Sequence, residues 1–219
     1  MNETQNKKQF IRTFRFPLFL TFLLVFIKVL ELISDTSFAP FGIHPRHANG
    51  LAGIFFSPLI HADWSHLLNN AIPLLVLTST LMYFYRRIAL QILGLIWFVT
   101  GLCVWIGGRE AYHIGASGVI YGLASFLFFS GIFRKEIRLL AISLMVIFLY
   151  GSMVWGIFPF FPDVSWESHL FGMLSGLFFA IVYKKEGYVK KEEPEEEEDP
   201  DGYPYWEIEA DEDEKQTLN

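Results

Sequence analysis

Six stretches of this chain, about residues 17–36, 64–85, 88–106, 117–133, 137–156 and 166–183, are apolar and nearly free of charge. Bilayer hydrocarbon is about 30 Å thick, so a helix rising ~1.5 Å per residue crosses it in ~20 residues. In that medium every backbone N–H and C=O must be paired by the segment itself, which leaves helices and closed barrels. No alternating barrel pattern is present, so the stretches read as helices. The expected fold class is all-α: a polytopic membrane protein with six spans. Composition agrees, since 18% of the 219 residues are charged, against ~25% in a soluble domain.

Lys7, Lys8, Arg12 and Arg15 precede the first span. Its apolar run is too long for a signal-peptide core and "SFA" is a poor cleavage site, so an uncleaved span is expected. Arg86 and Arg87 follow span two, Arg134, Lys135 and Arg138 follow span four, and Lys184, Lys185, Lys190 and Lys191 follow span six. With six spans all these clusters share one side, opposite Arg46 and Arg109, and the positive-inside rule places both termini in the cytoplasm. The N-terminus lacks an Arg- and Ser-rich presequence, which favours a bacterial cytoplasmic membrane.

The chain then divides into a short cytoplasmic segment (1–16), a six-helix membrane domain (17–185) and a tail (186–219). Residues 192–214 hold fourteen Asp or Glu, which accounts for the net charge of −6. This tail reads as disordered and solvating; a docking element for a cytoplasmic partner at "YPYW" is the alternative. No nucleic-acid partner is expected. The one cysteine, Cys103, lies inside span three; it excludes a disulfide framework and reads as a small buried hydrophobe.

The six histidines all map to the extracytoplasmic half: His44 and His47 after span one, His61 and His66 at span two, His113 before span four, His169 in span six. Ionisable groups at membrane depth are costly and point to function. In "HADWSHLLNN", Asp63 is a candidate N-cap, and His66 and Asn70, four apart, share a face. A capping and hydration role explains that segment equally well. In "SWESHLFGMLSG", Ser165 is the expected N-cap and Glu167 suits the positive helix start. His169, Gly172 and Gly176 lie on one face. In "GASGVIYG", Ser117 and Tyr121 are four apart, and Gly118 and Gly122 form a second GxxxG pair. Two such helices pack closely and would bring a Ser and a His to one depth, as a nucleophile and its base require. Span four is also short, about 25 Å long, so its start and "GGREAYHIGA" should dip below the surface beside a water-filled cavity. Lys28 and Glu31, three apart in span one, are expected to pair with each other.

Other chemistries fit less well. The soluble-hydrolase elbow G-x-S-x-G fails at Val119. Small-residue packing explains Gly118 and Gly122, and on span four alone it is the better reading. It leaves unexplained why a Ser, a His and a His/Asn pair gather on one side of three spans. A metal site would draw on His44, His47, His61 or His113, but no Cys or carboxylate stands at ligand spacing, so no metal or cofactor is expected. A transporter would show repeat symmetry and a midplane carboxylate beyond Glu31.

Taken together, "GASGVIYG", "HADWSHLLNN" and "ESHLFGMLSG" resemble the three signatures of the rhomboid intramembrane serine proteases, in order and on the right spans. The resemblance covers about residues 17–185. It implies a rhomboid-like six-helix bundle that cleaves transmembrane protein substrates within the lipid bilayer, with an active site opening to the extracytoplasmic side. By the same resemblance Ser117 of GxSG is the nucleophile, with Gly118 beside it, and His169 is the general base of a dyad. Tyr121 packs on the catalytic imidazole, His66 and Asn70 serve the oxyanion with the Ser117 N–H, and His61 is structural or hydrating. Two departures stand out. Many members carry a Trp-Arg pair after span one, where this chain has Pro45-Arg46, and Ser168 replaces a common Ala. Glu167, two residues from His169, points away from it and reads as a helix-start charge. A catalytically inactive rhomboid-like binding or retention factor is the alternative; loss of Ser117 or His169 would favour it, and both are present.

Overall fold

A computed structural model describes residues 3–149, 155–160 and 164–188. Seven helices are present among them and no strand: α1 (Glu3–Ser34), the short α2 (Gly53–Phe56), α3 (Trp64–Phe84), α4 (Ala89–Gly107), α5 (Ser117–Arg134), α6 (Ile137–Leu149) and α7 (Trp166–Val182). Four stretches are long and apolar enough to cross a membrane, namely Thr13–Ser34 within α1 and all of α3, α4 and α5; α6 and α7 are shorter apolar helices. The chain is thus an all-α membrane bundle, as its apolar runs require. Helix α1 starts well before the apolar run, because the Lys, Gln and Glu of the leading segment are good helix formers. The end of the fifth predicted span (150–154) and the acidic tail from 189 onward lie outside the described residues.

Burial assigns each helix its place. In the apolar window of α5 67% of residues are buried by protein, against 17% in α1. Helix α5 is therefore the axis and α1 the periphery, its apolar side chains left to lipid. What brings α5 and α7 together is glycine: a Cβ at Gly172 would collide with the Gly118 carbonyl, and one at Gly176 with that of Gly122. Only hydrogen on Cα permits such an approach. Across α4, Thr100 Oγ1 and Ser175 Oγ hydrogen-bond at 3.0 Å, and Trp97 Nε1 donates to the Ile54 carbonyl at 3.1 Å, seating α2 against α4.

Helix α1 is tied to the turn ahead of α3 through Lys28, half of a part-buried ion pair. Lys28 Nζ lies 2.6 Å from Glu31 Oε2, the expected pairing, and also donates to the carbonyls of His61 (3.0 Å) and Ala62 (2.9 Å). Those carbonyls belong to the turn just ahead of α3. At the opposite end of the bundle, Arg134 in the last turn of α5 donates to the carbonyls of Tyr183 and Glu186, both at 2.7 Å. Its guanidinium lies over the rings of Tyr85 and Tyr188, a cation–π arrangement.

Candidate active site

The starts of α3, α5 and α7 converge at the histidine-rich end. Asp63 caps α3: its Oδ1 accepts the His66 N–H at 2.8 Å, which fixes the first turn. That hydrogen bond holds the exposed Asp63 carboxyl below its usual range. Asn70 Nδ2 donates to the His66 carbonyl one turn back, at 2.9 Å.

The chain enters α5 through Gly115, whose φ is +104°, a conformation that favours glycine. Space demands glycine as well, since a Cβ there would sit 2.7 Å from His66 Nε2 and 3.8 Å from Asn70 Nδ2. The ring of His66 and the amide of Asn70 thus face the backbone immediately ahead of Ser117. The Gly115 N–H is held by the Ser57 carbonyl at 2.8 Å.

His61 lies behind this turn, 1% exposed, its ring edge-on to His66 with centroids 5.0 Å apart. The Ala116 N–H points at its Nε2 at 3.4 Å. Burial first, and the neighbouring His66 second, push the His61 imidazole down to about 3, so it stays neutral and able to accept.

Ser117 is the first residue of α5 and His169 lies in the first turn of α7. His169 Nε2 is 2.8 Å from Ser117 Oγ, and its Nδ1 is 2.8 Å from the Gly156 carbonyl oxygen. A carbonyl only accepts, so Nδ1 carries the ring proton and Nε2 presents its lone pair to the serine hydroxyl. Tyr121, one turn into α5, stacks flat on the imidazole with centroids 4.2 Å apart and 6° between planes. Gly118 admits the start of α7, because a Cβ there would meet the Ser168 carbonyl oxygen at 3.0 Å. Ser117, Gly118, Tyr121 and His169 therefore form one contiguous cluster, with His66 and Asn70 on its α3 side.

Ser165 departs from expectation. It occupies the N-cap position of α7 but its side chain makes no capping bond. Its hydroxyl instead lies 2.6 Å from His113 Nδ1 and 2.6 Å from Ser168 Oγ. His113 Nε2 faces the Arg109 carbonyl at 3.0 Å, which makes Nε2 the donor and Nδ1 the acceptor of the Ser165 hydroxyl. Burial holds the His113 imidazole below its usual range. Ser168, which stands where Ala is common, completes this chain.

Sequence reasoning missed Arg109 and the carbonyl of Gly156. Glu167 is 3% exposed; its Oε1 accepts the Arg109 N–H at 3.2 Å and its Oε2 lies 3.7 Å from Arg109 Nη1. No periodicity links these positions. Of the histidines weighed as metal ligands, His61 and His113 are engaged as described, whereas His44 and His47 stack on each other in the loop after α1.

Comparison with known proteins places the chain. The Rhomboid domain family matches residues 48–186. "Uncharacterized protein Rv1337" of Mycobacterium tuberculosis (strain ATCC 25618 / H37Rv) is 36% identical over 169 residues, covering 73% of this chain and 70% of its own. "Uncharacterized protein ML1171" of Mycobacterium leprae (strain TN) is 33% identical over 169 residues, covering 73% and 67%. "Putative rhomboid protease YdcA" of Bacillus subtilis (strain 168) is 31% identical over 148 residues, covering 64% and 72%. With the family matched over more than half its length, on a helical membrane bundle, this chain belongs to the Rhomboid family.

Proposed function

We propose that the protein is an intramembrane serine endopeptidase that hydrolyses peptide bonds in or near the transmembrane segments of other membrane proteins. The observation that carries this reading is the 2.8 Å contact between His169 Nε2 and Ser117 Oγ. The other ring nitrogen is committed to a backbone carbonyl, so the nitrogen facing the serine is the basic one.

In this reaction His169 Nε2 takes the hydroxyl proton as Ser117 Oγ bonds to the scissile carbonyl carbon. The tetrahedral oxyanion is met by donors at the start of α5 and by His66 and Asn70. Collapse breaks the C–N bond, and the imidazolium returns its proton to the leaving amine. Water, deprotonated by the same nitrogen, then hydrolyses the acyl-enzyme. The basic clusters support an arrangement with both termini cytoplasmic and the dyad open to the opposite side.

Labelling of the purified protein by a fluorophosphonate tests the reading. The expected outcome is one adduct on Ser117, absent from Ser117→Ala and His169→Ala, with cleavage of a transmembrane substrate lost in both. The double variant should lose little more, because the pair acts as a unit. A folded wild-type protein that neither labels nor cleaves would favour the binding or retention role.

A further inference from the structure

His44 and His47 flank Pro45-Arg46, and their rings lie face to face with centroids 3.9 Å apart and 7° between planes. Tyr112 packs against His44 at 4.6 Å between centroids. The chain reverses at Arg46, whose φ of +64° is costly for a residue with a Cβ. Hydrogen bonds to the end of α4 hold it there. The Arg46 N–H donates to the Trp105 carbonyl at 2.9 Å, and its guanidinium donates to the Gly108 carbonyl at 2.7 Å. Trp105 Nε1 in turn donates to the His47 carbonyl at 3.0 Å.

Glu110 arrives from the loop between α4 and α5. Its Oε1 is 3.6 Å from His47 Nε2, and one nitrogen or oxygen from each of His44, His47 and Glu110 lies within 4.8 Å of the others. Nδ1 of His44 is buried yet makes no hydrogen bond within the described structure. The carboxylate comes through space rather than through sequence spacing, so no motif reveals the trio.

We propose that His44, His47 and Glu110 form a binding site for a divalent cation of the Zn²⁺ type, clasping the loop after α1 to the loop ahead of Ser117. Two imidazoles and a carboxylate are a ligand set that Zn²⁺ accepts at about 2.0–2.2 Å, with water in the fourth position. Tetrahedral ligands at that radius lie about 3.3 Å apart, close to the spacing His47 and Glu110 already have. Binding requires His44 to rotate out of its stack on His47, since parallel rings do not aim their nitrogens at one point. His47 and Glu110 are 49% and 72% exposed, which leaves room for the water and a path for the ion. Mg²⁺ and Ca²⁺ prefer sites built of oxygen and compete poorly for two nitrogens. The clasp reinforces an existing tie: Ile43 and His113 exchange backbone hydrogen bonds at 3.0 and 2.9 Å, a few residues from both the trio and Ser117.

The test uses the full chain, purified in detergent with a tag free of histidine and stripped with a chelator. Millimolar Mg²⁺ occupies the acidic tail while Zn²⁺ is titrated by calorimetry and the melting temperature is followed. The wild type should bind one equivalent tightly and melt higher with Zn²⁺, since a ion bound by the native state stabilises it. His47→Ala and Glu110→Gln should each weaken binding about tenfold or more, because even outer-shell changes cost 10–100-fold. Glu110→Gln is a near-isosteric change at an exposed position, so it keeps the test decisive if a histidine variant misfolds. Absence of that equivalent in the wild type, or its undiminished binding in folded Glu110→Gln and His44→Ala/His47→Ala variants, overturns the site. Neither readout depends on proteolysis.

Discussion

Arg109 and Glu167 join the loop ahead of Ser117 to the first turn of the helix that carries His169. The carboxylate is buried, accepts the Arg109 N–H at 3.2 Å and lies 3.7 Å from its guanidinium. Arg109 also donates to the Val164 carbonyl at 2.8 Å, so a single residue spans both segments.

Glu167→Ala should therefore destabilise the protein by about 1–2 kcal/mol, the cost of removing the acceptor of a part-buried donor. Glu167→Gln keeps an acceptor oxygen and should lose less. Thermal unfolding of the two variants in detergent checks this; equal losses would show that the hydrogen bond contributes nothing beyond charge.

Gly172→Ala places a methyl against the Gly118 carbonyl, so α5 and α7 must part. We expect a loss of about 1–3 kcal/mol in stability and a turnover reduced more than tenfold even in the folded fraction, because small misplacements of reacting groups are costly. Gly94→Ala in α4 is the control, since a Cβ there meets nothing within 4 Å. If both substitutions behave alike, the close approach is not what holds the pair together.

Asn70→Ala and His66→Ala should lower kcat by up to about 10²–10³ with little change in KM, the pattern for donors used in the transition state. His66 is only half-buried, but Asn70 is buried, so Asn70→Ala should also cost about 1 kcal/mol of stability, and kcat is read on the folded fraction. Steady-state kinetics on a transmembrane substrate decides. An effect confined to KM would return both residues to capping and hydration.

His61 is held near 3 in the folded protein, against 6.5 for an ordinary histidine. The unfolded chain therefore takes up a proton that the folded one refuses. Stability is complete above about pH 6.5 and falls as the pH drops toward ~3. Melting temperatures measured across that window should decline, and His61→Gln, neutral throughout, should flatten part of the decline. Parallel profiles for the two proteins would exclude His61 as the source.

Much of the bundle is legible in the chain because it depends on local pattern. Apolar runs fix helix positions, Asp63 announces the start of α3, and the paired glycines of α5 and α7 mark the faces that touch. The Lys28–Glu31 pair follows from a spacing of three. What escapes sequence reading rests on contacts between distant loops. Ser165 is a good capping residue by type, yet His113 and Ser168 offer its hydroxyl stronger partners than the helix N–H groups do. Glu167 looks like a helix-start charge until Arg109 is brought beside it. Gly156 contributes a carbonyl, which every residue possesses and no side-chain pattern can flag.

That carbonyl has an electrostatic consequence. A carboxylate behind His169 would place a permanent negative charge at membrane depth, where a lone ion costs several kcal/mol. The Gly156 oxygen, 2.8 Å from Nδ1, fixes the same tautomer with a dipole alone. Serine, neutral imidazole and carbonyl together carry no net charge at rest, so in the proposed reaction the dyad itself would hold separated charges only while His169 carries the proton.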